Sequence, residues 1–304
     1  MKILAIVVSY NFMSWADKCL GSLLHSKNYC DILIIDNGSQ DGTQEYVREK
    51  YHNVMLVENK CNLGFGRANN MGISYALQHH YDGVLLLNQD AWVDEGTIEN
   101  LIRISNKYPV YGIISPIHLT GDRTKPEKGF SAYTKVYDIP QSIGAEIVPV
   151  PFINAAIWYM PISTISKVGM FSPLFYHYGE DKDFVNRLSY YNLKLGYTPA
   201  YYGCHDREYR QMTRDKFFYM ESTYFLSVYA NINLLWGIAF AKSVLAAVKK
   251  AIICLFRLKM EDSITYFKIS SNLLLKSLEV YRTRKQSRNV NLNNYTMDLP
   301  SVVF

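Results

Sequence analysis

Short apolar runs recur along the N-terminal part of the chain, at residues 3–8, 32–35, 54–57 and 84–87. Each has the length of a strand, and none alternates apolar with polar residues, as expected of strands covered on both faces. Between them lie stretches of helical character: about 15–26, a segment opened by Asp41-Gly42-Thr43-Gln44 in a capping arrangement, and about 66–80. Strand alternating with helix predicts an α/β chain on a doubly wound sheet. Met1-Lys2 and the six apolar residues after them look superficially like a secretory leader. Ser9-Tyr10-Asn11 follow with no small-residue cleavage site, so the run reads as a first strand.

Composition narrows the class. A chain of 304 residues has room for two domains, or for one large domain with an appendage. Hydrophobic residues make up 49% and charged residues 19%, against about 25% charged in an average soluble protein, which argues against disorder and for some apolar surface. The five cysteines (Cys19, Cys30, Cys61, Cys204 and Cys254) are scattered and never spaced C-x-x-C. No disulfide framework or zinc knuckle is expected, and a reducing cytosol fits.

In doubly wound sheets ligands bind beyond the carboxyl ends of the strands. The residues there are polar: Ser9-Tyr10-Asn11, Asp36-Asn37-Gly38-Ser39, the segment 59–66, and Asn88-Gln89-Asp90. Asn62-Leu63-Gly64-Phe65-Gly66-Arg67 invites a dinucleotide-binding reading, but the third glycine falls at Asn69, the segment follows the third strand, and a P-loop lysine is absent. A helix entry that needs close packing is the plain alternative to an anion or nucleobase site. Asn88-Gln89-Asp90 sets an acid and an amide where a hard cation on a diphosphate would sit; a solvated turn is the plain alternative. Glu180, Asp181 and Asp183 crowd a helix start, where capping competes with a raised pKa suited to a general base. His205 could complete a metal site with Asp90. Residues 109–150 are rich in Gly, Pro and Tyr and predict extended loops or edge strands; beyond them 153–160 reads as a strand, 161–168 as a short helix, and 181–195 as a helix ending near Gly196.

These residues resemble the inverting family 2 glycosyltransferases of GT-A fold, and within them the rhamnosyltransferases. Ile6-Val-Val-Ser-Tyr-Asn11 is similar to the family's opening strand, and Asp36-Asn-Gly-Ser-Gln-Asp41-Gly-Thr43 to its nucleotide-base loop. Residues 62–72 are similar to its glycine and asparagine helix entry, Asn88-Gln89-Asp90 to its D-x-D motif, and Gly179-Glu180-Asp181 to its acceptor-side acid. The resemblance implies a Rossmann-like, mixed and mainly parallel sheet flanked by helices. It implies a nucleoside-diphosphate sugar donor, dTDP-rhamnose over a UDP-hexose, held by Tyr10, Asp36, Asn62, Gly64, Arg67, Asn69 and Asn88. Asp90 and His205 would hold Mg²⁺ or Mn²⁺, and Asp181 would deprotonate a hydroxyl of a glycolipid or oligosaccharide acceptor in surface polysaccharide synthesis. The first acid of D-x-D is Asn88 here, and an inactive scaffold or glycan-binding subunit is the alternative. A sugar-phosphate nucleotidyltransferase would call for a glycine-rich basic signature after the first strand, which Ser9-Tyr10-Asn11 lacks.

Charge is concentrated at the C-terminal end, where residues 206–304 carry 15 Lys/Arg against 8 Asp/Glu. Residues 234–256 are mostly apolar and long enough to span a bilayer. At 100° per residue Lys242, Lys249, Lys250 and Arg257 fall within an arc of about 100°. That leaves a wide face with Leu235, Trp236, Ile252 and Phe256, as in a helix lying in the membrane interface; packing on the catalytic domain is the alternative. Arg207, Arg210, Arg214, Lys216, Arg282, Arg284, Lys285 and Arg288 would add attraction to anionic lipid. No nucleic-acid reader motif is present. The expected organisation is a GT-A domain over 1–215, with a nucleotide-sugar half (1–108) and an acceptor half (109–215), then a helical, membrane-associating extension over 216–304. The expected location is the cytoplasm, peripheral on the inner face of the plasma membrane.

Overall fold

The computed structural model describes residues 1–26, 30–140, 144–207 and 212–292. Strands β1 (Ile3–Ser9), β2 (Asp31–Asp36), β3 (Met55–Glu58) and β4 (Gly83–Asn88) are parallel and joined by α1 (Ala16–Leu24), α2 (Thr43–Lys50) and α3 (Phe65–Gln78). Strand β1 shows why these runs need no alternation. Leu4 and Ile6 enter one core with Leu33, Leu86 and Trp158, while Ile3, Ala5 and Val7 enter a second core with Leu20, Ile34 and Leu85. Successive side chains point to opposite faces, so a strand with helices over both faces is apolar throughout.

Five further strands extend the sheet: β5 (Ala91–Val93), β6 (Tyr111–Leu119), β7 (Val148–Pro149), β8 (Ile157–Pro161) and β9 (Lys194–His205). Among the described residues the order is β3-β2-β1-β4-β8-β6-β9-β5, with β7 paired to β9. The order reverses at β1, which opens a crevice beyond the carboxyl ends of β1 and β4. Register brings the strand-ending polar residues into one row, since Ser9 lies opposite Asp36, Asp36 opposite Glu58, and Val8 opposite Asn88. Strand β8 runs antiparallel to β4, and Ala91, directly after Asp90, pairs with His205.

Three expectations need correcting. Residues 111–119 form β6, a fully buried strand between β8 and β9, and not an edge. Pro116 sits at a register irregularity, where a missing N–H is tolerated, and it masked the strand's pattern. The helix expected over 181–195 is α7 (Glu180–Tyr190); Asn192 takes a left-handed conformation with φ 57°, and β9 starts before Gly196. The strand expected from 153 begins only at Ile157, because Ala156 N–H donates to Asn154 carbonyl at 2.8 Å in a tight turn.

The remaining helices are α4 (Thr97–Lys107), α5 (Lys128–Thr134), α6 (Ile162–Val168), α8 (Arg214–Ala230), α9 (Trp236–Phe240), α10 (Ala246–Phe256), α11 (Met260–Leu275) and α12 (Ser277–Arg288), with a π-helical turn (Ala241–Leu245) between α9 and α10. From α8 onward they form a core of their own, which takes in Leu174 and Phe175 from the loop before α7. Helices α9 and α10 bury small residues, Ala239, Ser243, Ala247 and Ala251, and leave Leu235 72% and Phe256 83% exposed. No described helix is long and apolar enough to cross a membrane. Several cations expected to face lipid are engaged internally. Arg284 is buried and donates to the carbonyls of Tyr229, Asn231 and Leu234, Arg288 donates to Ile232 carbonyl at 3.0 Å, Arg214 pairs with Asp262 at 3.0 Å, and Lys250 pairs with Glu221. Arg210 lies outside the described residues.

Helix α3 enters through Gly64, whose φ is +80° and whose added Cβ would lie 2.1 Å from Tyr176 carbonyl oxygen. Gly64→Ala is expected to destabilise the fold by roughly 2–4 kcal/mol, from backbone strain plus a clash that no side-chain rotation relieves. Denaturant titration of the variant beside the wild type measures this.

Candidate active site

The loops after β1 and β2 are knitted together by side-chain to backbone bonds. Asn11 N–H donates to Ser39 Oγ at 2.8 Å, Gln40 N–H to Asn11 Oδ1 at 3.0 Å, and Phe12 N–H to Thr43 Oγ1 at 2.9 Å. Asp36 anchors this loop. It is fully buried, and its carboxylate accepts from Gly38 N–H at 3.1 Å, Ser39 N–H at 2.9 Å, Gln44 Nε2 at 2.7 Å, Ser9 Oγ at 2.9 Å and Ser39 Oγ. Both oxygens are occupied.

Tyr10 is exposed at the rim. Its backbone is clasped by Gln89, whose Oε1 accepts Tyr10 N–H at 2.7 Å and whose Nε2 donates to Tyr10 carbonyl at 3.2 Å. The middle residue of Asn88-Gln89-Asp90 thus locks the ends of β1 and β4 across the crevice. Sequence reading passed over it, since nothing in the spacing separates a ligand-facing amide from a bracing one.

The glycine-rich entry divides into exposed and buried residues. Asn62 is exposed; its Oδ1 accepts from Gly64 N–H at 2.9 Å and from Asn37 Nδ2 at 3.3 Å. Arg67 is exposed on the first turn of α3. Asn69 is buried and donates to Phe65 carbonyl at 3.0 Å, so its amide serves the helix and is not at the rim. Asn70 brackets Phe171, donating to its carbonyl and accepting its N–H, both at 2.8 Å. This pair fastens α3 to the segment leading into α7.

At the end of β4, Asn88 Nδ2 lies 3.5 Å and Asp90 Oδ1 3.4 Å from His205 Nε2. His205 is buried, and its Nδ1 has no hydrogen-bond partner. Its ring centroid is 6.2 Å from that of His118, whose imidazole is pushed down to about 3 by burial and by its neighbour His205. Among the described residues no group of three or more His, Cys, Asp or Glu converges as a metal cage. One carboxylate and one imidazole nitrogen converging on the same spot suit a Mg²⁺ or Mn²⁺ ion that draws its other ligands from a diphosphate and water.

The acidic helix start separates into two kinds of carboxylate. Asp183 is buried against Arg187, at 2.8 Å, in an ion pair that also holds Val168 carbonyl. Glu180 is buried, and its Oε2 has no partner. Burial and the adjacent Asp181 charge push Glu180 up to about 8. Asp181 is also raised by burial, against the pull of the Lys182 N–H, which it accepts at 2.7 Å, and of the nearby Ala155 N–H. Ala155 joins the two halves of the site, because Ala156 carbonyl next to it accepts Asn88 N–H at 2.9 Å. The Asp181 carboxylate therefore lies near the backbone that meets the end of β4.

The model of glycosyl transferase family 2 matches residues 4–155. The chain belongs to that family. This family 2 glycosyltransferase is 25% identical over 231 residues to the N-acetylglucosaminyl-diphospho-decaprenol L-rhamnosyltransferase of Mycobacterium tuberculosis, a match covering 64% of this chain and 72% of the relative. It is 24% identical over 173 residues to the low-salt glycan biosynthesis hexosyltransferase Agl10 of Haloferax volcanii, 55% of each chain. The crystal structure of S. aureus TarS 1-349 in complex with UDP-GlcNAc superposes with a TM-score of 0.57 at 15% identity, covering 97% of this chain and 89% of that one. The fold of the glycosyltransferase is of the GT-A type: a mixed sheet flanked by helices, with a helical C-terminal region.

Glu180 binds its proton more tightly folded, at about 8, than at its ordinary 4.5. The stability this contributes is complete below about pH 4.5 and is lost as pH rises through 8. Glu180→Gln is expected to flatten the pH dependence and to melt above the wild type at pH values over 8, as measured by calorimetry across that range.

Proposed function

We propose that this glycosyltransferase moves a sugar from a nucleoside-diphosphate donor to a hydroxyl of a lipid-linked glycan, with inversion. The observation that supports this reading is the nearness of the Asp181 carboxylate, raised by burial, to the backbone of Ala155, next to the Ala156 carbonyl that accepts Asn88 N–H at the end of β4. The donor lies over the carboxyl ends of β1 and β4, its nucleoside against Tyr10 and the loop built on Asp36. Asn62, Gly64, Arg67 and Asn88 border the diphosphate, with Arg67 supplying positive charge. Asn69 supports the helix beneath. Asp90 and His205 would hold Mg²⁺ or Mn²⁺, which supplies charge neutralisation on the departing diphosphate.

In the chemical step Asp181 takes the proton of the acceptor hydroxyl as its oxygen bonds to the anomeric carbon, and the bond from that carbon to the diphosphate oxygen breaks on the opposite face. The leaving group departs as the nucleoside diphosphate. We take dTDP-rhamnose as the donor and surface polysaccharide synthesis as the setting; the mycobacterial relative, by its name an L-rhamnosyltransferase for N-acetylglucosaminyl-diphospho-decaprenol, supports rhamnosyl transfer to a lipid-diphosphate-linked sugar. We assign residues 1–108 to the donor half, 109–215 to the acceptor half, and 216–304 to a helical extension.

Asp181→Asn is expected to lower turnover by about 10²- to 10⁴-fold while leaving the thermal shift given by the donor in place. Asp90→Ala is expected to abolish the EDTA-sensitive part of donor cleavage. A panel of dTDP-rhamnose, UDP-glucose, UDP-galactose and GDP-mannose, followed by donor hydrolysis and melting temperature, reads both. Silence across the panel in folded protein would shift the reading to a scaffold subunit.

We further propose a peripheral position on the cytoplasmic face of the plasma membrane. Support comes from the exposed Leu235, Ile252, Phe256 and Leu258. Lys242, Lys249 and Arg257 accompany them on the same helical stretch. Co-sedimentation with phosphatidylglycerol vesicles is expected to be salt-sensitive and to fall at least about fivefold in Leu235→Asp/Phe256→Asp.

A further inference from the structure

Two cavities meet at Leu174 and Leu275 beside the acid pair. The first, about 520 Å³, lies between the loop running into α7, Tyr219 and Leu226 of α8, and the end of α11 at Leu273 and Lys276. The second, about 440 Å³, continues along α12 past Leu278 to Arg282 and Gln286. Both volumes fall in the range of small-molecule sites. The first adjoins the acids: Tyr178 immediately precedes Gly179-Glu180-Asp181, and an added Cβ on Gly179 would lie 2.6 Å from the methyl of Thr223, which lines the cavity. Tyr219 hydroxyl donates to His177 carbonyl at 2.9 Å and fixes the loop there.

The lining changes character along its length. Next to the acids Tyr176, His177, Tyr178 and Tyr219 present ring faces and polar edges, a surface on which sugar rings stack. Farther out Leu226, Leu273, Leu275 and Leu278 are aliphatic, and Leu275 is 83% exposed. Two cations stand along this aliphatic part, Lys276 in the first cavity and Arg282 in the second. The described ion pairs of the helical module are those of Arg214 and Lys250, so Lys276 and Arg282 are left outside them. With Glu279 as the one carboxylate in the lining, Lys276 and Arg282 leave the groove net positive, which complements an anionic amphiphile better than a neutral one.

We infer that this groove seats the acceptor as a polyisoprenyl-diphosphate-linked sugar, with the sugar against the tyrosines, the diphosphate near Lys276 and Arg282, and the chain along Leu275 and Leu278. The inference rests on the proposed transferase reading and locates its acceptor. The groove runs from the catalytic acids to the module that carries the exposed apolar residues, so one amphiphile spans both.

The test uses the full chain with saturating dTDP to fill the donor site, and farnesyl diphosphate as the probe, titrated by calorimetry. Saturable binding is expected, weakened about tenfold or more in Lys276→Glu/Arg282→Glu and again in Leu275→Asp. These side chains are exposed, and melting curves check that each variant is folded. Binding unchanged in all variants, absence of saturable binding, or displacement by inorganic pyrophosphate as efficient as by the farnesyl compound would overturn the groove. Donor hydrolysis by the wild type separates the two readings. Cleavage without farnesyl diphosphate binding removes the groove alone, whereas binding without cleavage supports the groove and removes the transferase.

Discussion

A parallel sheet leaves the crevice at its strand ends open on one side, and here the antiparallel entry of β8 beside β4 supplies the facing wall. Asn88 N–H bonds to Ala156 carbonyl, and the backbone N–H of the neighbouring Ala155 is near enough to Asp181 to act on its charge. Through two adjacent peptide units the rim proposed to face a diphosphate and the carboxylate proposed to face an acceptor meet one piece of backbone. Helix α3 reinforces the arrangement from the other side, since Gly64 and Asn70 dock it on Tyr176 and Phe171. Reacting groups held by backbone bonds to a sheet keep their separation far better than groups on free loops, which is what an in-line displacement needs.

The acids of the site differ in what surrounds them. Asp36 accepts five hydrogen bonds and Asp183 pairs with Arg187, so both are engaged within the protein. Glu180 is buried and Asp181 half-buried beside it, with no ion pair between them and a cation among the described contacts, and Lys182 extends over the Phe152 ring at 4.8 Å. Two adjacent carboxyls in a desolvated place favour holding a proton, and that places their affinity nearer to what a general base requires. Which of the four carboxylates is reactive is therefore decided by the partners that the other two have taken.

The sheet was legible because burial on both faces writes itself as unbroken apolar runs, and the rim because polar clusters follow each run. What the chain order hides is pairing between distant segments. Strand β6 was obscured by Pro116 and Gly112, whose costs are absorbed by an irregular register and by close packing on Thr164 and Leu188. Asp36 looks like a ligand-binding residue in sequence yet accepts from its own loop, Gly38, Ser39 and Gln44, and from Ser9, while Gln89 spends its amide on Tyr10, 79 residues away. Arg284 looks like part of a basic face and is instead a buried cap on the carbonyls that end α8. An isolated sequence records residue type, whereas the fate of a polar group depends on which unpaired backbone atoms the fold brings to it.

Helices α9 and α10 invert the usual arrangement of an amphipathic helix. The side turned to the protein is made of Ala239, Ser243, Ala247 and Ala251, small enough for α11 to approach closely, with Ser263 and Ser270 donating to the carbonyls of Ala251 and Val244. Leucine, isoleucine and phenylalanine, which would contribute most to a core, are turned outward. In water this forfeits the burial that ordinarily holds such a helix down, at roughly 1.5–3 kcal/mol for each large side chain left exposed. Small-residue contact and serine bonds toward the protein, with large apolar groups facing out, is the pattern that suits helices whose outer surroundings are themselves apolar. The same module supplies Leu275, Lys276 and Arg282 to the groove beside the acids, so the surface proposed to meet lipid and the groove proposed to take a lipid-linked acceptor are built from one continuous set of helices.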